Sequence, residues 1–353
     1  MPFSRYADDP QIAAACAELA PIATAQMPRS HGTIGPAEVF RAPGAALAGP
    51  YLSQFYWIDV RCDPLGSATQ AMHFSLPGKD FLTERDGYLA AQSAPFAQAA
   101  EREQKPAYLH SMRSLADVIG RTSSEAVFAN AALFIAGLDP RALRPFFDSI
   151  VMRQLAASAQ VLAGRAIYSQ KFLVHRRVRP EALGWLVDLS RRGHAMPLHE
   201  SLLAAHAVAE AERRNGTALL PQAYVGGCPA HPSYPAAHGG IAGAVTTVFK
   251  AFVVDDYPWP NPVAANDDGS ATLPLRNVPL TLGGELDKLA ANFALGRDGA
   301  GVHFRSDSLG GLQLGEQVAL SVLRDCLGTM PSFGDELTVR RFDGRVVRLS
   351  ATT

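Results

Sequence analysis

The chain has 353 residues, with enough apolar side chains (48%) to bury a substantial core and too many to remain disordered. Its 32 Lys and Arg are balanced by 33 Asp and Glu, a net charge of −1, which excludes a general basic surface for a nucleic-acid backbone. Positive charge can therefore matter only where it is locally concentrated.

In chain order, the N-terminus Met1-Pro-Phe-Ser-Arg shows no basic segment leading into an apolar run, so no signal peptide is expected. Residues 11–20 are Ala-rich with apolar spacing near 3.6 and should form a helix that Pro21 ends. Further helices are predicted over 86–103, 109–119, 123–135 and 142–163, the last after the turn at Asp139-Pro140. Pro180 should open a helix over 181–190, and Asn215-Gly216 should stop one over 202–213. The most apolar stretch, 236–254, is interrupted by His238 and Lys250, which suits a core helix better than a membrane span. Helices over 286–293 and 309–327 complete the set, and the chain is expected to be soluble, with the cytoplasm as the default location. Strand patterning is confined to 336–342 and 345–350, which flank Asp343-Gly344 as a hairpin. The expected class is mainly α with a short C-terminal β-hairpin. Two turn-rich stretches, 27–79 and 255–284, are long enough to be functional or to cover a neighbouring subunit. Cys16, Cys62, Cys228 and Cys326 lack metal spacing and read as small buried thiols.

Three segments in the second half concentrate His, Arg and Lys. In Lys171-Phe-Leu-Val-His-Arg-Arg-Val-Arg179-Pro180, the outer cations are eight residues apart, about 80° around a helix. Alone, this reads as a solvated basic face; Lys171 and Arg179 converge on one anion only if the segment bends. In His231-Pro-Ser-Tyr-Pro235-Ala-Ala-His238, Pro235 reads as the first position of a helix whose free N–H groups attract anions. His238 in that first turn is placed to exchange a proton. The plainer alternative is a capped helix with two incidental histidines. In Arg297-Asp-Gly-Ala-Gly-Val-His303-Phe-Arg-Ser-Asp307, a glycine-containing loop can fold Arg297 and His303 toward one point. Asp307 lies one helical turn beyond His303 and could hold one imidazole nitrogen while freeing the other.

Together, Lys-x7-Arg-Pro, Pro-Ser-Tyr-Pro-x-x-His and Arg-x5-His-x3-Asp resemble the signature of the vanadium haloperoxidase and type 2 phosphatidic-acid phosphatase superfamily. The string His175-Arg-x-x-Arg-Pro-Glu-Ala-Leu-Gly, His231-Pro-Ser-Tyr-Pro, Leu314-Gly-Glu-Gln-Val-Ala and Gly49-Pro-Tyr-Leu-Ser-Gln-Phe are more similar to algal and bacterial bromoperoxidases. The resemblance covers nearly the whole chain.

It implies one haloperoxidase-like domain over 1–353, with an N-terminal helical region over 1–165 carrying the arm 27–79. A helical bundle over 166–330 would hold the site, and 331–353 would form the hairpin. It implies a vanadate cofactor, in a site phosphate can also occupy. His303 would bond vanadium, and Lys171, Arg179 and Arg297 would neutralise its oxygens. Asp307 would orient His303, Ala237 would donate its backbone N–H, His238 would take a proton from hydrogen peroxide, and His231 would be a second active-site histidine. Lys171 would also polarise the O–O bond, so that bromide or iodide is oxidised to a hypohalous-acid equivalent that halogenates small organic nucleophiles. No nucleic-acid or membrane partner is implied, and the assembly would be a homodimer or larger homo-oligomer. The chain departs from the family at Ala236-Ala237, where Ser-Gly is usual: Ala236 has no hydroxyl to donate. Two alternatives share the site, an acid phosphatase with His303 as nucleophile and a vanadium-free homologue binding phosphate or an organic substrate.

Overall fold

Helix dominates the described residues. The computed structural model describes residues 1–353 except 22–33, 37, 40, 43–48, 62–65, 94–99, 122–123, 331–332 and 352–353. Part of the arm expected over 27–79 therefore lies outside the described residues, as does Cys62. The helices are α1 Pro10–Leu19, α2 Arg85–Ser93, α3 Met112–Arg121, α4 Ser124–Ala136, α5 Ser149–Ser169 and α6 Pro180–Arg191. They continue with α7 Glu200–Leu203, α8 His206–Asn215, α9 Ala237–Phe252, α10 Leu282–Gly299 and α11 Arg305–Leu327. No helix among the described residues is long and apolar enough to cross a membrane.

Several boundaries differ from the sequence expectation for identifiable reasons. Of the helix expected over 86–103, the described part is α2, up to Ser93, and residues 101–103 are not helical: the Glu103 N–H donates to the Phe74 carbonyl at 2.8 Å. Helix α5 starts at Ser149, not 142, because Asp148 accepts from the N–H groups of Ile150 and Val151 and caps it there. The helix expected over 202–213 is split into α7 and α8 at Ala204–Ala205, a break that no Gly or Pro marks. Helix α10 runs four residues earlier and six later than expected. Its start is capped by Thr281, and packing against α3 carries it through Gly296 and Arg297, which read as loop in sequence.

Helix α9 is the centre of the bundle, in contact with α11 most extensively and then with α5 and α10. The α9–α11 contact is backbone to backbone. A Cβ added at Gly315 would overlap the Gly240 carbonyl oxygen, so any larger residue separates the helices. This close approach brings the starts of α9 and α11 side by side, and the Ala236 N–H donates to the Asp307 carbonyl at 2.8 Å.

The sheets are small antiparallel pairs: β1 Val60–Arg61 with β2 Ser67–Ala68, β3 Val263–Ala265 with β4 Thr272–Pro274, and β5 Glu336–Arg340 with β6 Val346–Ser350. The last pair is the expected hairpin, but its loop is longer than two residues. The Arg341 N–H donates to Arg345 across a three-residue turn ending at Gly344, φ +82°. One continuous apolar cluster draws on residues from Ala42 to Leu349, so the hairpin and the bundle share a core. Of the three cysteines described, Cys16 is buried as expected, whereas Cys228 and Cys326 are partly exposed.

Candidate oxyanion site

Lys171 follows α5 in a π-turn, Gln170–His175, after which Arg176 adopts a left-handed conformation (φ 47°). The segment therefore bends, which is the condition for Lys171 and Arg179 to converge. Lys171 is fully buried, and its Nζ donates to the carbonyls of Pro232 and Ser233 at 2.6 and 2.8 Å. Two of three ammonium protons are thus committed, and one remains.

Arg179 is the N-cap residue of α6 and is 7% exposed. Its Nε donates to the His231 carbonyl at 2.8 Å, and Nη1 donates to the Val302 carbonyl at 2.9 Å and to His303 Nε2 at 3.0 Å. Its Nη2 reaches His231 Nδ1 at 3.0 Å. One guanidinium therefore gathers the second and third sequence segments around the first.

His303 lies in the turn between α10 and α11, one residue before the N-cap Phe304. Its Nδ1 is 3.0 Å from Asp307 Oδ2, an oxygen that also accepts the Phe304 N–H at 3.0 Å. Asp307 Oδ1 accepts from Arg177 Nη1 at 3.0 Å. The carboxylate thus meets three partners, and its charge offsets only part of the mutual repulsion at Lys171 and Arg179. With the proton on Nδ1, His303 Nε2 carries the lone pair, the one that accepts from Arg179 Nη1.

Pro235 is not the first helical residue, as the sequence suggested. Helix α9 begins at Ala237 with Ala236 as its N-cap, and no side chain caps it. The Tyr234–Pro235 peptide is cis, and Pro235 lies outside the helix. Ala236 is fully buried, and its amide is spent on Asp307. His238 in the first turn stacks on Phe293, ring centroids 5.2 Å apart. Arg297 occupies the last turn of α10, not a loop. It is 6% exposed; Nη1 donates to Tyr224 Oη at 3.1 Å, and Nε is buried with no hydrogen-bond partner among the described residues.

The electrostatics follow from crowding basic groups in a dry place. Burial, then the charge of Arg179, pulls Lys171 down to about 7. Burial, then Arg179 and Lys171, pulls His231 down to about 4. His303 falls to about 3, mainly by burial, against the opposing pull of Asp307. Burial, Arg297 and His303 hold His238 well below the usual imidazole range. All three histidines are therefore neutral near pH 7, in the company of two guanidinium groups. An oxyanion would relieve the mutual repulsion, pair with the orphaned Arg297 Nε and meet a neutral imidazole nitrogen. The donor set thus fits a tetrahedral oxyanion bound through a histidine.

Lys171, Arg179, His231, His303 and Asp307 are linked by hydrogen bonds, directly or through the 231–233 backbone; His238 and Arg297 adjoin them through their mutual electrostatic influence. Two cavities flank the 226–229 loop. One of about 430 Å³ includes Arg297 and Tyr224, and one of about 340 Å³ includes Arg179 and His231. Sequence reasoning missed Tyr224, which carries no motif spacing. It also missed Glu181, which accepts the Cys228 N–H and fixes that loop. Pro180-Glu181 directly follows Arg179, and that adjacency was the available signal.

Comparison with known proteins bears on this geometry. A family model described as the VCPO second helical-bundle domain matches residues 198–328. The vanadium-dependent bromoperoxidase of Ascophyllum nodosum is 32% identical over 99% of this chain and 69% of its own length. That of Corallina officinalis is 28% identical over 92% of this chain and 65% of its own length. The homohexameric structure of the second vanadate-dependent bromoperoxidase of A. nodosum superposes with a TM-score of 0.91, covering 99% of this chain and 68% of that one, at 24% identity. That likeness shows the fold. The chain spans about two thirds of the length of these relatives.

Proposed function

Because the chain belongs to the vanadium-dependent bromoperoxidase family, we propose that it is a vanadate-dependent haloperoxidase that uses hydrogen peroxide to oxidise bromide or iodide. The observation that carries this reading is the buried, neutral His303, whose unprotonated Nε2 accepts from the Arg179 guanidinium with Asp307 behind it. Vanadate would be held by His303 Nε2 and by Lys171, Arg179 and Arg297, with the Ala237 amide at the start of α9 adding a donor. Bound there, it supplies Lewis-acid activation of peroxide toward halide.

The chain's own groups do the rest. His238, neutral because of its burial and of Arg297, accepts the proton that hydrogen peroxide gives up. Lys171 offers its uncommitted proton to the oxyanion side. His231 is held by Arg179 in neutral form and can relay a proton at the cavity that includes both. Products are a hypohalous-acid equivalent and, from it, halogenated organic nucleophiles.

A homodimer or larger homo-oligomer is part of the proposal. Its support is the homohexamer of the A. nodosum neighbour and the exposed apolar side chains Val161, Leu162, Phe172, Leu173 and Val174 on α5 and the π-turn.

A phosphatase remains the second reading, because a neutral His303 Nε2 oriented by Asp307 also suits a nucleophile. Two assays separate them: bromination of a phenol dye with hydrogen peroxide and bromide, with and without added vanadate, and hydrolysis of p-nitrophenyl phosphate. Vanadate-dependent dye bromination with negligible hydrolysis is the expected result. Hydrolysis without any vanadate-dependent bromination overturns the haloperoxidase reading.

A further inference from the structure

Arg297 is a long side chain at the end of a helix, and an oxyanion site needs its guanidinium in one place. Nη1 donates to Tyr224 Oη at 3.1 Å, and the guanidinium carbon lies 5.1 Å from the centroid of the same ring. Tyr224 is itself held independently of Arg297. Its hydroxyl is 2.7 Å from the Ala116 carbonyl of α3, to which its single proton must go, because a carbonyl cannot donate. That leaves a lone pair of Oη to receive Arg297. The ring is seated on Gly120, where an added Cβ would run into it. The loop before it is tied to the turn after Arg297: the Ala223 N–H donates to the Ala300 carbonyl at 3.0 Å, and Gln222 Nε2 donates to the Gly301 carbonyl at 2.9 Å.

We infer that Tyr224 is the positioning residue for Arg297. It occupies Nη1 and supports the face of the guanidinium, so that Nε, buried and unpartnered, remains for the oxyanion. This inference rests on the oxyanion reading of Arg297 given above. Tyr224 does not touch the anion; it acts by restricting the arginine before binding, which lowers the ordering cost of association.

The test is a double-mutant cycle read by calorimetric titration with inorganic phosphate, on protein freed of vanadate. Tyr224→Phe keeps the ring and its stacking and removes only the hydroxyl. The Ala116 carbonyl keeps the ordinary helical acceptor role toward residue 120, so folding should be little affected. Tyr224→Phe is expected to weaken phosphate binding about tenfold, the scale of a hydrogen bond to a charged group. Arg297→Ala should weaken it at least as much, and the double variant should bind no more weakly than Arg297→Ala alone. Wild-type affinity in Tyr224→Phe overturns the inference, as does an equal loss from Tyr224→Phe when Arg297 is absent, which would mark a merely structural role. Wild-type affinity in Arg297→Ala overturns the oxyanion reading of Arg297 and the inference with it.

Discussion

Arg179 Nη1 donates to His303 Nε2 at 3.0 Å, while Asp307 holds the opposite ring nitrogen at the same distance. A cation therefore guards the one lone pair that could bond a metal centre, and a carboxylate on the far side fixes which nitrogen carries it. Under the proposed function, such a site would discriminate between ligands bound by charge alone and ligands bound also through the imidazole.

Asp307→Asn separates those contributions. The weaker acceptor loosens the His303 tautomer, while removal of one negative charge makes the pocket more positive. Vanadate affinity should fall about tenfold or more, the usual scale for losing a partner behind a metal-bound histidine. Phosphate affinity should stay level or rise. Parallel titrations check this, and a matching loss for both anions would show that His303 makes no special bond.

Ala236→Ser restores a hydroxyl at the buried start of α9, beside the Asp307 carbonyl. A hydrogen bond to a charged group contributes about 1.5–3 kcal/mol, so vanadate should bind roughly tenfold more tightly or better. Vanadate reconstitution curves for the two proteins are the measurement, and unchanged or weaker binding would mean the alanine pocket has no room for the hydroxyl.

Oxyanion binding should take up a proton above neutral pH. Burial and Arg179 pull Lys171 down to about 7, so at pH 8 its Nζ is mostly neutral before an anion binds. An anion stabilises the charged form and raises that value. Affinity must therefore increase as pH falls from 9 toward 7 and flatten below. Sulfate is the suitable probe because its own charge is constant over this range. His231 and His303, at about 4 and about 3, stay neutral throughout and do not contribute. Calorimetry in buffers of different ionisation enthalpy counts the protons; zero uptake at pH 8 would place Lys171 outside the anion's reach.

Gly315→Ala tests the link between packing and site. Its Cβ would overlap the Gly240 carbonyl, forcing α9 and α11 apart at a cost of about 1–3 kcal/mol. The same displacement separates Ala236 from Asp307, so phosphate affinity should drop along with the melting temperature. A variant that melts lower yet binds phosphate normally would show that the helix starts are held by something other than this contact.

The helical class, the C-terminal hairpin and the identity of the basic residues were legible in the sequence, because apolar periodicity and turn chemistry are local properties. So was the reach of Asp307 to His303, since four residues is one turn. How Lys171 and Arg179 meet was not legible: that depends on a π-turn and a left-handed Arg176, conformations held by contacts with residues 231–233 rather than by local preference. Nor was the place of Arg297 on a helix, because the glycines between Arg297 and His303 suggest a loop, and it is the packing of α3 against Gly296 and Gly299 that carries α10 this far. The lowered proton affinities of Lys171, His231 and His303 belong wholly to the tertiary structure. They arise from burial and from charges that lie far apart in the chain and are brought together in the fold.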